Sequence, residues 1–419
     1  MNFVGTLGFS IVTPFLVILV TKWGGNAVIY GLMAATYSFF QLFGAPVLGH
    51  LSDRIGRRRV LLYSQLGTLV SWGIFLIAFI LPSATILSVE GGLLGSFAVT
   101  LPLLVLFFAR ALDGATGGNV SVSNAYLSDI TTGDHRSRDF GRMAVSTNLG
   151  FIVGPALAGL LGATLLGEVV PVLAAFVISA AALALIQFGL ADIRPKQITE
   201  HLEDHNACAV YGHEHRRGYK VECEKPDGIG AILRLPNMRL LLSVNFLVLL
   251  GFSFFYAGFP IHALQGLGWS ITEMGSYFAF LSLVMIAVQG PLLGAVSNRF
   301  PDRLLMGFGG LVLAVGFAML YGSDPILVYA SAALIALGNG LMWPTFMSVL
   351  SKFAGDTLQG AVQGYSGSIG AVASIAGLIG GGLAYVQFGA SVFPISAVVI
   401  AASALLAFAV APVGDPKEA

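Results

Sequence analysis

Twelve apolar stretches dominate the sequence, and each is long enough to cross a lipid bilayer as a helix. They lie near residues 2–20, 28–48, 60–82, 101–130, 143–165, 169–190, 239–263, 273–296, 303–321, 326–351, 363–386 and 391–412. With 56% hydrophobic and 10% charged residues, the chain does not fit the class of soluble globular proteins. We therefore predict an all-α integral membrane protein with twelve transmembrane helices in two six-helix bundles. The bundles cover residues 1–190 and 239–419, and residues 191–238 form a linker between them.

A short polar turn after the second stretch recurs after the eighth. The first copy reads GHLSDRIGRRR over residues 49–59, and the second reads GAVSNRFPDRL over residues 294–304. The two copies begin 245 residues apart. This offset indicates two related halves that carry the same turn between their second and third spans.

The placement of Lys and Arg predicts the orientation of the chain. Of the 21 basic residues, 19 lie in the turns after even-numbered spans or in the C-terminal tail. Basic residues concentrate on the cytoplasmic side of a membrane, so we predict a cell-membrane protein with both termini and the linker in the cytoplasm.

The first turn resembles the signature G-x-L-[SA]-D-R-x-G-R-[RK] of the major facilitator superfamily. The resemblance implies two pseudo-symmetric bundles and transport by alternating access. It also implies gating roles for Asp53, Arg54, Arg57 and Arg58, and pairing of this basic turn with Asp129 at the end of span 4. An ordinary solvated charge at a helix end is the alternative for Asp129.

Span 4 carries the most informative polar residues. Their spacing of three or four places them on one helix face: Arg110, Asp113, Gly117, Ser121, Asn124 and Ser128. A central Arg is costly to insert and usually lines water or meets a partner, so this face predicts a polar cavity. The segment 110–114 is similar to the superfamily's R-x-x-x-G pattern, which implies a role in proton movement. A purely structural Arg110–Asp113 pair is the alternative.

Two residues of span 10 are candidates for the same cavity. Asn339 and Trp343 are four residues apart and therefore share a helix face. Together with Arg110, Asp113, Ser121 and Asn124 they form the predicted proton-coupling and substrate set. His262, at the predicted outer end of span 7, is interpreted as an interfacial residue.

Span 5 carries a spacing of small residues that favours close helix contact: Gly141, Gly150, Gly154, Pro155, Ala158 and Gly159. This spacing resembles the motif typical of exporters in the superfamily. Together with the segment GATGG at 114–118, it resembles the tetracycline–proton antiporter branch most closely. That branch has an acid early in span 1, where this chain has Gly5. Either Asp113 alone carries the coupling proton, or coupling is weak or absent.

The linker holds four histidines and both cysteines of the chain, at His201, His205, Cys208, His213, His215 and Cys223. These side chains are zinc-ligand types, but no paired C-x-x-C is present, so an ordinary flexible linker is the alternative to a metal site. The chain also has no G-x-x-x-x-G-K-[ST] loop for a nucleotide, and its net charge of zero gives no indication of nucleic-acid binding.

These observations predict a secondary transporter rather than an enzyme. We expect proton-coupled export of a small amphipathic compound by a monomer in the lipid bilayer, without a cofactor. The alternatives are a facilitator or symporter for a sugar or organic anion, and a receptor-like protein that senses metal through its linker and transports nothing.

Overall fold

The computed structural model describes residues 2–117, 122–123, 126–127, 146, 149–150, 153–162, 164, 166–191, 229–297 and 299–410. The chain divides into two compact units, one of Met1–Glu224 with Ile271–Gly275 and the other of Lys225–Ser270 with Ser276–Ala419. Within the described ranges, eight helical segments are long and apolar enough to cross a membrane. The last of them, Gly364–Phe408, covers two of the predicted spans, and predicted spans 4 and 5 run partly outside the described ranges.

The first unit is built from helices and one small hairpin. In chain order these elements are α1 Asn2–Lys22, α2 Ala27–Ile55, α3 Arg57–Ala78, β1 Thr85–Val89, β2 Phe97–Thr100, α4 Leu101–Thr116, α5 Val153–Gly162 and α6 Val169–Gly189. Helix α4 packs against both α2 and α3, and α6 packs against α1 and α3.

The hairpin was not predicted from the sequence, and it docks on the turn between α1 and α2. Strands β1 and β2 are antiparallel, and the Asn26 side-chain amide donates hydrogen bonds to the carbonyls of Leu94 (2.8 Å) and Ser96 (3.2 Å). The backbone N–H of Ala98 donates to the carbonyl of Gly24, whose φ of +93° favours glycine. The hairpin is therefore fixed to the ends of two helices.

The second unit is helical throughout its described part. Its elements are α7 Ile229–Ile232, α8 Met238–Ile261, a π-helical turn His262–Gly266, α9 Ile271–Ala287, a second π-helical turn Val288–Leu292, α10 Leu293–Ser297, α11 Asp302–Met319, α12 Pro325–Phe388, a 3₁₀ turn Gly389–Ser391 and α13 Val392–Phe408. The first residues of α9, Ile271–Gly275, belong to the first unit.

Aromatic side chains and glycines form the core of the second unit. Phe255 stacks on Phe259 and on Phe317, with ring centroids 5.2 and 5.1 Å apart. Helices α11 and α12 approach closely at Gly309 and Gly338, which have no side chains to separate them. A Cβ on Gly309 would lie 2.9 Å from the carbonyl oxygen of Gly338. Such packing without side chains is typical of membrane helices.

Many large apolar side chains remain exposed on the helices of both units. Phe188 at the end of α6 is 87% exposed and Val398 on α13 is 69% exposed. Apolar exposure on this scale marks a surface that meets another phase or a partner, and on spanning helices it is the surface that contacts lipid.

Candidate functional site

Helix α4 carries a buried pair of opposite charges in the first unit. Arg110 and Asp113 are one turn apart, with 3.7 Å between Nη1 and Oδ2. The two residues are 5% and 4% exposed. The spacing of three residues brings both side chains to the same face, as the sequence predicted.

Two polar residues of α2 connect the guanidinium to the end of α4. The Cζ atom of Arg110 lies 4.6 Å from the ring centroid of Tyr37, within the range of a cation–π contact. The side-chain amide of Gln41 donates hydrogen bonds to the hydroxyl oxygen of Tyr37 (3.0 Å) and to the carbonyl of Gly117 (3.2 Å). Gln41 therefore ties Tyr37 to the end of α4.

Helix α3 contributes to the surroundings of the carboxylate. The side chain of Thr68 lies near Asp113. Four residues earlier, the hydroxyl of Ser64 donates to the carbonyl of Thr116 at the end of α4. Asp113 thus has a cation on its own helix and a hydroxyl from a neighbouring helix.

Glycines allow the three helices to come this close. A Cβ on Gly114 would collide with the carbonyl oxygen of Tyr37, and one on Gly44 would collide with that of Ala115. On α3, a Cβ on Gly67 would collide with the side chain of Thr116. The small residues around Arg110 and Asp113 are therefore needed for the backbone contact that positions the pair.

The polar face predicted for span 4 is interrupted. Helix α4 ends at Thr116, and Gly117 leaves helical geometry with φ −72° and ψ 35°. Residues 122–123 and 126–127 are helical again, whereas Ser121 and Asn124 lie outside the described residues. A glycine at this point lets the helix be broken next to the charged pair.

The span-10 candidates lie in the second unit. Asn339 and Trp343 are both half-buried on α12, and Trp343 stacks on Phe346 with ring centroids 5.4 Å apart. Their assignment to a substrate cavity stays a prediction.

The basic turn between α2 and α3 has an ordered internal structure. Gly56, with φ +102°, separates the two helices and donates its N–H to the carbonyl of Ser52 (3.1 Å). The buried guanidinium of Arg57 donates to the hydroxyl oxygen of Ser52 (2.6 Å). Arg58 donates to the carbonyls of Ile186 (3.3 Å) and Gln187 near the C-terminal end of α6.

The contacts of Arg58 join the turn to α6. Asp129 and the side chains of Asp53 and Arg54 lie outside the described residues, so the predicted latch stays a prediction. In the second copy of the turn, Asp302 forms an ion pair with Lys352 at 2.5 Å.

The small residues of span 5 lie against α1. Gly150 accepts a hydrogen bond from the hydroxyl of Ser10 (2.8 Å), and a Cβ on Gly154 would collide with the Ser10 side chain. Gly159 approaches Gly275 so closely that a Cβ on it would lie 2.5 Å from the Cα of Gly275. Pro155 is half-buried in the same helix, and Gly141 lies outside the described residues.

The His- and Cys-rich linker lies wholly outside the described residues. Over the ranges that are described, no group of three or more His, Cys, Asp or Glu side chains is arranged to hold a metal. Metal binding by the linker stays a prediction.

The interfacial interpretation of His262 stays a prediction, but its side chain is buried within the protein. The residue is only 5% exposed, and it lies in the second unit beside Tyr385 and Phe393. Burial follows from partners on α12 and α13, which are more than 100 residues away in the sequence.

Sequence reasoning also missed Tyr37, Gln41 and Thr68. Tyr37 and Gln41 are polar, four residues apart and embedded in an apolar span, which is the signal that could have identified them. Thr68 gave no such signal, because a single Thr is ordinary in a membrane helix.

Comparison with known proteins gives a consistent set of similarities. A sequence profile of the Major Facilitator Superfamily matches residues 1–377 and 241–419. The class C tetracycline resistance protein of Escherichia coli is 28% identical over 353 residues, covering 83% of this chain and 78% of that protein.

Solved structures agree on the fold. A D-xylose–proton symporter has a TM-score of 0.70 at 15% identity, with 98% of this chain and 97% of that one covered. The human organic anion transporter MFSD10 has a TM-score of 0.64 at 21% identity, with 97% and 96% covered.

Proposed function

Because the chain belongs to the Major Facilitator Superfamily, we propose that it is a secondary active transporter that exports a small amphipathic compound in exchange for protons. The sequence-based predictions of the family, of the helical two-bundle fold class and of a multi-pass membrane protein are confirmed. Family and fold indicate a transporter rather than an enzyme.

The observation that carries the coupling proposal is the buried Arg110–Asp113 pair. While Asp113 is ionised, the guanidinium is neutralised by a carboxylate 3.7 Å away. The ionised carboxylate can also accept a hydrogen bond from a substrate, and that acceptor is lost when Asp113 takes up a proton. Proton and substrate then exclude each other at one site, which is the linkage an antiporter needs.

The direction of transport rests on the relatives. A protein named for tetracycline resistance is similar to this chain over 83% of its length, and resistance is a natural consequence of export. The spacing Gly150, Gly154, Pro155 and Gly159 in span 5 supports the same choice. At 28% identity the compound itself is a separate question, and we propose only its amphipathic class.

The remaining predicted residues fit this scheme as proposals. Ser121, Asn124, Asn339 and Trp343 would line the substrate cavity. A second set would act in gating, by stabilising one of the two conformational states of the transport cycle: Asp53, Arg54, Arg57, Arg58 and Asp129. We further propose a monomer with bundles at 1–190 and 239–419, and with both termini in the cytoplasm.

An organic-anion facilitator or symporter is the second candidate. Arg110 favours it, because its guanidinium contacts the Tyr37 ring on one side and can donate hydrogen bonds to a substrate carboxylate on another. In that case Asp113 would position Arg110 and would carry no transported proton.

The test is transport by purified protein in liposomes with an imposed pH gradient. A panel of cationic, neutral and anionic amphipathic compounds is offered, and Asp113→Asn serves as the uncoupled variant. We expect uphill movement of one class that collapses when an uncoupler is added. Uptake that follows the substrate gradient alone, in both directions and at every pH, would favour the facilitator.

A further inference from the structure

His262 is a buried, titratable side chain for which the proposed transport cycle has no role. It opens the π-helical turn that follows α8, where the N–H of Leu267 donates to the carbonyl of His262 (2.9 Å). Single π-helical turns are rare and occur frequently at functional sites. The turn widens the helix at the residue that carries the imidazole.

The surroundings form a fitted niche for the ring. A Cβ on Gly266 would lie 2.6 Å from Nδ1 and 2.8 Å from Cε1, so a larger residue there would require the imidazole to shift. The Phe393 ring lies 5.2 Å from the imidazole, centroid to centroid, at an interplanar angle of 69°. All of these residues belong to the second unit.

One ring nitrogen has a partner and the other has none among the described residues. Nδ1 lies 3.3 Å from the hydroxyl of Tyr385, whereas Nε2 is buried without a hydrogen bond. In either neutral tautomer, Nε2 is thus a buried N–H or lone pair without a hydrogen-bond partner among the described residues. Leaving such a group unsatisfied costs about 1–3 kcal/mol, so a residue with a purely structural role is poorly explained here.

The electrostatic surroundings are simple. Tyr385 on α12 is the titratable group that contacts His262 within the described part of the chain, and the contacts from α13 and from Gly266 are made by carbon atoms. The rings of Phe393 and Tyr385 are both T-shaped to the imidazole, with ring centroids 5.2 and 6.1 Å away. No neighbouring carboxylate is needed to hold the ring in place.

We propose that His262, with Tyr385, forms a second proton-binding site of this protein, in the second unit and separate from the Arg110–Asp113 pair. Nε2 takes up the proton from water that reaches the niche, and the Tyr385 hydroxyl oxygen accepts a hydrogen bond from the protonated ring at Nδ1. The part this site plays in transport rests on the proposed proton-coupled export, whereas proton binding itself does not.

The direct test is a titration of the imidazole in the full-length protein. The chain is labelled with ¹⁵N-histidine and reconstituted in liposomes, and ring nitrogen shifts are followed from about pH 4.5 to pH 9 by nuclear magnetic resonance. Among the histidine resonances, we expect a titrating one that is absent in His262→Asn and displaced in Tyr385→Phe. Tyr256→Phe is the matched control, because Tyr256 lies on α8, which leads into the π-helical turn, and contacts Phe252 and Phe255 instead.

Transport gives the second readout. His262→Asn, or His262→Gln should the first variant fail to fold, is expected to make the export rate depend on pH less steeply, by one proton. Binding of substrate is expected to remain. An imidazole that stays neutral over the whole range overturns the inference.

The two proposals fail in different ways. If export is not driven by protons at all, wild-type transport ignores the pH gradient while His262 still titrates. If His262 binds no proton, export remains driven by the gradient and the His262 resonance stays silent.

Discussion

Replacing Asp113 by Asn tests the buried pair directly, because the change removes a charge and keeps the shape of the side chain. Nη1 of Arg110 and Oδ2 of Asp113 are 3.7 Å apart, and both side chains are about 95% buried. At an effective dielectric constant of about 20, unit charges at this distance attract each other by about 4.5 kcal/mol. Breaking a buried pair by removing one partner typically costs about 3–5 kcal/mol.

We expect Asp113→Asn to abolish proton-driven export and to permit counterflow exchange of substrate. The variant should also unfold at a lower temperature, because Arg110 is left buried with a neutral neighbour. The matched control is Asp302→Asn, which removes the carboxylate from the exposed Asp302–Lys352 pair. An exposed pair contributes at most about 1 kcal/mol, so that variant should remain stable and active.

A double-mutant cycle separates structure from coupling. Arg110→Gln in the Asp113→Asn background removes both charges, and we expect it to restore much of the lost stability without restoring uphill export. The assays are thermal unfolding in detergent and transport in liposomes with an imposed pH gradient. Uphill export by Asp113→Asn at the wild-type rate would refute the reasoning and leave Asp113 as a structural partner of Arg110.

Three further changes address glycine positions. Gly154→Leu should abolish transport, because the site is closed by Ser10, whereas Gly189→Leu at an open position should not; full activity of a folded Gly154→Leu protein would remove the packing argument. Gly5→Asp should be tolerated, because a Cβ there meets no atom within 4 Å, and it should raise the number of protons exchanged per substrate; an unchanged ratio would show that span 1 takes no part in coupling. Gly56→Ala should destabilise by about 1–3 kcal/mol, because φ is +102°, whereas Gly49→Ala at an open position should be mild; equal unfolding temperatures would argue against this backbone strain.

The sequence predicted what depends on local periodicity. Arg110 and Asp113 are three residues apart on one helix, so their pairing follows from helical geometry alone. The spacing of Gly150 and Gly154 likewise predicted a face for close helix contact, and the structure supplies the partner, Ser10 on α1. Nothing in span 5 itself could have identified that partner.

What the sequence did not predict depends on neighbours distant in the chain. Tyr37 reaches Arg110 from α2, and Thr68 reaches Asp113 from α3, so neither contact has a local signal. His262 ends a predicted span, and its contacts with Tyr385 and Phe393 likewise have no local signal. In each case, packing between helices decides the environment of a polar residue.

The hairpin between α3 and α4 is a suitable place to attach an antibody fragment for electron microscopy. Its turn carries Gly91 and Gly92 at positive φ, and in the same turn the carbonyls of Leu94 and Ser96 accept hydrogen bonds from the Asn26 amide at the start of α2. A short epitope grafted between the two glycines would lie beside this attachment point. An antibody fragment bound there would give a particle buried in a detergent micelle a landmark for alignment in electron microscopy. Labelling of that epitope on intact cells would also report which face of the membrane the hairpin occupies.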